Sequence, residues 1–294
     1  MTITTAITRQ IGDSTVTRVT EQRGWAFAPQ HLFPDWDPAF LEEHRDWMVP
    51  DCYNEAKHRL ASSVHTWVVR TKHHRVLIDT CVGNHKKRPF LQHFHRLNLP
   101  FLQRLAAAGV HPATVDYVFC THLHADHCGW NTQLLDGRWI PTFPNAKYVF
   151  SKAEQEHWSG PAGREGFHAG VYQDSVLPII EAGQAEVIDG TGEIGGALQV
   201  QPAPGHSVGH VTIKLASRGA GALFTGDIMH HPIQVYRPAW NSYFCNMPDL
   251  ARVSRRGILE YAVEFRTMLF TSHFPCSSVG CVRRHGGQFT WQFA

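Results

Sequence analysis

The sequence has little net charge and no long apolar run. Its 294 residues contain 27 Lys and Arg against 25 Asp and Glu, a formal net charge of +2 at pH 7. This near balance argues against a polyanionic partner such as nucleic acid. No apolar stretch approaches the roughly 18–20 residues that span a bilayer, so we expect no membrane insertion. The first residues lack a basic start and an apolar segment, so we expect no signal peptide.

Cysteine pairs at metal-binding or redox spacing are also absent. The seven cysteines are irregularly spaced, and no C-x-x-C motif occurs. An odd number of scattered cysteines is typical of reduced, mostly buried thiols, which predicts a cytoplasmic protein. Cys128 lies beside a histidine cluster, where it is either a metal ligand or a small packed residue. The short basic clusters 86–88 and 255–256 are predicted to be solvated surface.

Strand-like and helix-like segments alternate along the chain, which predicts an α/β architecture. Strands are predicted at 66–70, 75–80 and 116–120, the first two as a hairpin. Helices are predicted from residue 101 to about 108, over 151–157 and from about 248 to 265. Ser151 and Glu154 have the form of a capping box. We expect one face of the last helix to point toward the core, with the side chains Leu250, Val253, Leu259, Ala262 and Phe265.

No linker of low complexity and no short repeat divides the chain, so residues 1–294 are predicted to form one domain. Residues 25–60 are rich in Trp and Phe and show little periodicity. We expect this segment to be an irregular aromatic arm or lid.

Histidine is abundant, with 21 in 294 residues, so some clustering is expected by chance. However, metal-capable residues follow four separate strand-like runs in the turn after each run. In open α/β folds, loops at the carboxyl ends of strands converge on one crevice. A chance patch would not repeat this placement. The four groups are His122, His124, Asp126 and His127; His206 and His210; Asp227; and His273.

The spacing in HLHADH divides its ligands into two pairs. In an extended loop, His122 and His124 point the same way. Asp126 and His127 are then turned toward a second position. Two metals roughly 3.5–4 Å apart need a bridging group, for which a carboxylate such as Asp227 is suited. His206 and His273 would complete the first and the second metal site, with zinc favoured and iron or manganese as alternatives.

Together, the HxHxDH motif, the Pro-Gly-His turn at His206, the Thr-Gly-Asp turn at Asp227 and His273 resemble the metallo-β-lactamase superfamily of metal-dependent hydrolases. The resemblance covers roughly residues 60–275, and the ligand set is closest to that of the dinuclear lactonases and organophosphate hydrolases. It implies an αβ/βα four-layer sandwich with the metals at one edge of the sheets. Asp79 lies where the family carries a supporting aspartate, although by residue type alone it could equally be a turn residue.

The resemblance implies that a hydroxide bridging two metals attacks a small lactone or carboxylic ester. Asp126 would then shuttle a proton to the leaving group. His230 stands where homoserine lactonases carry a tyrosine that holds the substrate carbonyl, so it either donates a hydrogen bond to substrate or packs behind the site. His210 is expected to support the site rather than to bind metal, because His206 already fills the ligand position.

Other functions fit parts of the same pattern. The site could hydrolyse phosphotriesters or β-lactams, or His122, His206 and Asp227 could hold a single iron, as in persulfide dioxygenases. A metal-holding module without turnover is a further alternative. The expected partner is a small molecule, and a homodimer remains open. Five residues could line a substrate pocket or merely fill the core, namely Phe90, Trp130, Met229, Trp240 and Phe244.

Overall fold

The computed structural model describes residues 7–294. Its strands are β1 Ile7–Ile11, β2 Ser14–Phe27, β3 Tyr53–Asn54, β4 Arg59–Arg70, β5 Arg75–Ile78, β6 Tyr117–Phe119, β7 Thr132–Leu135, β8 Arg138–Pro141, β9 Lys147–Ser151, β10 Ala185–Ile188, β11 Gly192–Ile194, β12 Leu198–Pro202, β13 Val211–Ser217, β14 Ala220–Phe224, β15 Met268–Phe270, β16 Val279–His285 and β17 Gln288–Phe293. Its α-helices are α1 Pro29–Leu32, α2 Ala39–Glu43, α3 Arg45–Met48, α4 Phe101–Ala107, α5 Lys152–Ser159, α6 Leu177–Glu181, α7 Ile233–Tyr236 and α8 Pro248–Glu264. A π-helix, Tyr172–Val176, runs directly into α6.

The strands form two large sheets and one small hairpin. The first sheet has the order β1-β2-β4-β5-β6-β9-β10, with β3 paired to β4. The second sheet has the order β11 to β17, and β7 pairs with β8. The predicted hairpin is present, because β4 and β5 pair antiparallel. Parallel pairing joins β5, β6, β9 and β10 in the first sheet, and β14 and β15 in the second.

Alternating side chains in the strands bury both faces of each sheet. In β4 and β5, Trp67 and Ile78 face the second sheet, where they pack with residues such as Phe224 and Phe270. Their neighbour Val68 faces the opposite way, toward the layer that contains α4 and α5. A third cluster joins the far face of the second sheet to α7 and α8. The order of layers is helix, sheet, sheet, helix, which confirms the predicted αβ/βα four-layer sandwich.

The predicted burial of the last helix and of the basic clusters is wrong in part. The buried face of α8 contains Ala251, Arg255, Leu259 and Ala262, whereas Leu250, Val253 and Phe265 are exposed. This face is rotated from the predicted one because Arg255 donates hydrogen bonds to the carbonyls of Ile228 and Pro238 and to Asn241 Oδ1. Lys86 and Arg88 are also fully buried. Arg88 forms a two-pronged ion pair with Asp174 in the π-helix.

The aromatic segment is ordered and contains short helices. Residues 25–27 end β2, and residues 59–60 begin β4. Between them, α1, α2 and α3 contribute Leu32, Phe33, Phe40 and Met48 to a separate apolar cluster. This cluster packs against Ile233 in α7 of the same chain. The segment thus consists of turns and short helices whose Trp and Phe side chains supply a small core of their own, and its role as an arm or lid stays a prediction.

The carboxyl ends of five strands meet at one edge of the sandwich. The segments after β5, β6, β12, β14 and β15 converge there beside the first half of β4, as shown by the bonds from Ser63 N to His273 O and from Val211 N to Thr121 O. The predicted metal ligands lie in four of these segments. Among the described residues, no helix has both the length and the apolar character needed for a membrane span.

Candidate metal centre

One group of candidate ligands contains His122, His124 and His206, whose ligating nitrogens lie within 4.8 Å of one another. His206 Nε2 is 3.1 Å from His122 Nε2 and 2.9 Å from His124 Nδ1. All three side chains are buried. Burial, together with the neighbouring imidazoles, holds the pKa of His122 and His124 well below the usual value. Three neutral nitrogens that face one another present lone pairs to a common point, as in a cation site.

A second group contains Asp126, His127 and His273. Asp126 lies between the two imidazoles, with Oδ2 at 3.5 Å from His273 Nε2 and Oδ1 at 3.7 Å from His127 Nε2. Although burial alone would lower the pKa of His127, the carboxylates of Asp227, Asp79 and Asp126 raise it well above the usual value. A cation bound here would replace that proton, because metal ligands must be deprotonated.

Asp227 lies between the two groups. Its Oδ2 is 3.4 Å from His206 Nε2, and its Oδ1 is 3.3 Å from His127 Nε2 and 3.1 Å from His273 Nε2. Burial would raise the pKa of this carboxyl, but the imidazoles of His127, His273 and His230 hold it well below the usual value. The carboxylate is therefore ionised and touches both groups, as expected of a bridging ligand.

The donor set fits two divalent cations. Imidazole nitrogens and carboxylate oxygens are the ligands of zinc, iron and manganese sites. Several of these buried atoms have no hydrogen-bond partner among residues 7–294, including His124 Nε2, His127 Nε2 and Asp227 Oδ1. Buried polar atoms in native proteins are normally paired, and unpaired atoms that converge here are suited to coordinate a cation.

Comparisons with known proteins agree with this geometry. Residues 60–269 match the family model of the metallo-beta-lactamase superfamily. The chain belongs to this superfamily. It is 32% identical over 116 residues to the N-acyl homoserine lactonase AttM of Rhizobium johnstonii, a match that covers 37% of the chain and 39% of AttM. The chain thus spans well under half the length of this relative.

The solved structures that resemble this superfamily member share its fold along nearly the whole chain. AidC, a dizinc quorum-quenching lactonase, superposes with a TM-score of 0.78 at 20% identity, covering 98% of this chain and 97% of AidC. The hydrolase AbOPH superposes with a TM-score of 0.81 at 22% identity and the same coverage. The predicted family and fold are therefore confirmed, and the named relatives are hydrolases.

In this superfamily member, Asp79 and His210 contact the candidate ligands from behind. Asp79 Oδ2 lies 2.9 Å from His127 Nδ1, while Oδ1 accepts a hydrogen bond of 2.8 Å from Thr121 N. Thr121 Oγ1 is in turn 3.0 Å from His122 Nδ1. His210 Nε2 accepts a hydrogen bond of 3.0 Å from Asp227 N. Both residues thus contact the backs of the candidate ligands, and such contacts fix the orientation of metal-binding side chains.

Glu154 has a role different from the predicted capping box. Ser151 makes no side-chain cap to α5. Instead, the buried carboxylate of Glu154 accepts hydrogen bonds from Leu123 N at 3.0 Å, Gly209 N at 2.7 Å and Trp158 Nε1 at 2.8 Å. The first two donors belong to the loops of His122–His127 and of His206. One carboxylate therefore joins two ligand loops, a role that only the tertiary structure reveals.

A cavity of about 50 Å³ opens onto the candidate metal ligands. The aromatic segment and its neighbours form its apolar wall, which includes Phe27, Leu32, Leu60, Leu91, Phe94 and Phe244. Of the five aromatic and methionine candidates, Phe244 is the one on this wall. Met229 and Trp130 are buried in the core clusters, Trp240 packs against the aromatic segment, and Phe90 is exposed. Cys128 is also packed in the core, with its Sγ donating to His124 O, and it belongs to neither ligand group.

Two further histidines line the cavity. The predicted residue His230 has Nε2 at 3.3 Å from Asp227 Oδ2, and its ring lies parallel to that of His273 within 18°. His168 was not singled out from the sequence, since it follows no strand and belongs to no motif. Its ring stacks on His124 with centroids 3.9 Å apart and planes 7° apart.

Proposed function

We propose that this protein is a dinuclear metal-dependent hydrolase that opens a small neutral lactone or cleaves a carboxylic ester. The observation that carries the proposal is the position of Asp227, which contacts both ligand groups at the floor of an apolar cavity. The likeness to AttM and AidC supports the choice of a lactone. Zinc is the proposed metal, because the ligands are imidazoles and carboxylates with no thiolate.

The cavity lining favours a neutral substrate. Among residues 7–294, its lining consists of apolar side chains, Ser62, and the histidines and aspartates of the centre and beside it, with no Lys or Arg. A β-lactam antibiotic carries a free carboxylate, which such a wall leaves unpaired at a cost in binding. A lactone or simple ester carries no carboxylate, so it needs no Lys or Arg in the wall. A neutral phosphotriester would also fit this wall, so it is a second candidate.

Two divalent cations at these positions would supply a Lewis acid and a water of lowered pKa. The protein supplies the alignment and the proton transfer. Asp126 is more exposed than Asp227 and lines the cavity, which places its carboxylate where it would accept the proton released by the attacking water and then give it to the leaving alkoxide. We assign this proton transfer to Asp126. The apolar wall of Leu32, Leu60 and Phe244 excludes water from the acyl side of the bond.

His230 is proposed to contact substrate beside Asp227. Its Nε2 has two polar neighbours, Asp227 Oδ2 at 3.3 Å and Ser242 Oγ at 3.5 Å. A substrate oxygen that enters next to Asp227 would share this donor. The imidazole would then polarise the carbonyl.

Acid release in a pH-stat tests the proposal. The substrates are an acyl homoserine lactone, an aryl ester, a phosphotriester and a β-lactam, each with and without chelator. We expect chelator-sensitive acid release from the lactone or the ester, and two metal ions per chain by elemental analysis. Faster turnover of the phosphotriester would instead favour the second candidate. One bound iron with consumption of oxygen would favour the mononuclear alternative.

Matched variants connect activity to the centre. His124→Ala and Asp227→Ala should lose metal and turnover together, because each removes a ligand. His73→Ala, which alters an exposed histidine in the turn after β4, should retain both. Full metal content and full rate in Asp227→Ala would refute the bridging role.

A further inference from the structure

The ring nitrogens of His168 have distinct environments. Nδ1 accepts a hydrogen bond of 3.2 Å from Ala125 N in the ligand loop. A neutral imidazole that accepts at Nδ1 carries its hydrogen on Nε2. Among residues 7–294, no side chain or carbonyl accepts from that Nε2–H, and the ring lines the cavity. His168 therefore presents an unused hydrogen-bond donor to a bound molecule.

The position of this donor is fixed by packing. His124 covers one face of the ring, and Trp158 stands edge-on at 5.2 Å. The short turn Gly166–His168 is closed by hydrogen bonds from Ala169 N to Gly166 O and from Gly170 N to Gly163 O. A donor held this firmly loses little conformational entropy when it binds an acceptor.

His168 and His230 differ in whether their Nε2 atom already has a polar partner. His230 Nε2 already faces the Asp227 carboxylate, whereas His168 Nε2 has no such neighbour. His230 stacks against His273 of the second ligand group, and His168 stacks against His124 of the first. The two donors thus stand beside different halves of the centre. A molecule with two acceptor oxygens could bind both donors at once.

We infer that His168 is a specificity-determining residue whose Nε2–H binds a second acceptor oxygen of the substrate, apart from the carbonyl that reacts. The inference rests on the proposed function and narrows its substrate class. The preferred lactone or ester carries an amide or similar carbonyl next to the scissile group, followed by an apolar part that reaches the wall of Phe27 and Phe94. A lactone without this second oxygen leaves the donor unpaired.

A matched pair of lactones tests this. N-hexanoyl homoserine lactone has the second oxygen, and an α-heptyl-γ-butyrolactone of similar length does not. His168→Phe keeps an aromatic ring on His124 but removes the donor. We expect it to reduce kcat/KM about tenfold more on the amide lactone than on the alkyl lactone, mainly through KM, as for one lost neutral hydrogen bond. His168→Gln, which can donate from a similar position, should recover part of the difference.

Control measurements separate binding from structural damage. His157→Phe alters a histidine that also contacts Trp158 but lies outside the cavity, and it should leave the ratio between the two lactones unchanged. Metal content should stay the same in all three variants. An equal loss on both lactones, or no loss on either, would overturn the inference.

A binding experiment keeps the inference testable if neither lactone is hydrolysed. N-cyclopentylhexanamide carries the amide oxygen but no scissile bond. In ¹⁵N-edited NMR of the metal-loaded protein, a signal absent from His168→Phe identifies the His168 imidazole. We expect the Nε2–H tautomer, and a shift of its signal when the amide is added. Failure of all hydrolysis would refute the proposed function, whereas an unmoved signal, or an Nδ1–H tautomer, would refute the role of His168.

Discussion

Asp79 Oδ2 and His127 Nδ1 lie 2.9 Å apart, and both side chains are buried. This contact fixes the tautomer of His127 so that Nε2 faces Asp227 and Asp126. Asp79→Asn should weaken the affinity for the second metal by about 10–100-fold, as for other partners of metal-binding histidines. Competition with a chromogenic chelator measures the change. If the variant bound metal with the affinity of the native protein, Asp79 would have no role in metal binding and would be only a turn residue.

Glu154 should stabilise the fold around the candidate metal centre without contacting a metal itself. Glu154→Gln keeps the size of the side chain but replaces one acceptor oxygen by an NH2 group, which faces an N–H donor and cannot accept its hydrogen bond. We expect a loss of about 1–3 kcal/mol in the free energy of unfolding, because Leu123 N and Gly209 N donate to different oxygens of Glu154 and the amide leaves one of the two without an acceptor. Urea unfolding of the metal-loaded protein checks this. Glu156→Gln, on the solvated side of α5, is the control and should change little.

Glu21 should make stability depend on pH. Burial raises the pKa of this carboxyl to about 7, although N–H groups of Val82, Gly83 and Trp130 oppose the shift. Because the folded protein then binds the proton more tightly than the unfolded chain, the contribution of Glu21 falls as pH rises from about 4.5 to about 7. A shift of this size amounts to roughly 3 kcal/mol.

The difference between the native protein and Glu21→Gln isolates this contribution. Between pH 5 and pH 7.5, the native protein should lose about 2–3 kcal/mol more of its unfolding free energy than the variant at equal metal loading. Parallel pH profiles would show that Glu21 stays ionised throughout.

His230→Phe should reduce kcat while both metals remain bound. The phenyl ring can still stack against His273 and Phe244, but it cannot donate a hydrogen bond beside Asp227. We expect a decrease in kcat of about 10²-fold, as for one lost donor to a developing oxyanion. Unchanged turnover would mean that His230 only packs behind the bridging carboxylate.

The positions of the candidate ligands could be predicted because each one is marked by the few residues before it in the sequence. Each ligand follows a strand, and strand ends in an α/β fold converge, so His122, Asp227 and His273 could be placed together from the sequence. Glu154 and His168 could not, since their roles depend on contacts with residues far along the chain. Lys86 and Arg88 were misplaced for the same reason: their partner Asp174 lies in a π-helix that no local pattern indicates.

The distribution of ligands over two sheets has a consequence for the order in which the protein matures. The loop of His122–His127 follows β6 of the first sheet, whereas His206, Asp227 and His273 follow strands of the second. A bound cation is thus a cross-link between early and late parts of the chain, and closing so long a loop has an entropic cost that coordination must outweigh. During synthesis, the three early histidines can hold at most an incomplete site. In the proposed dinuclear centre, full metal loading would have to wait until His273 has emerged from the ribosome and β15 has joined the second sheet.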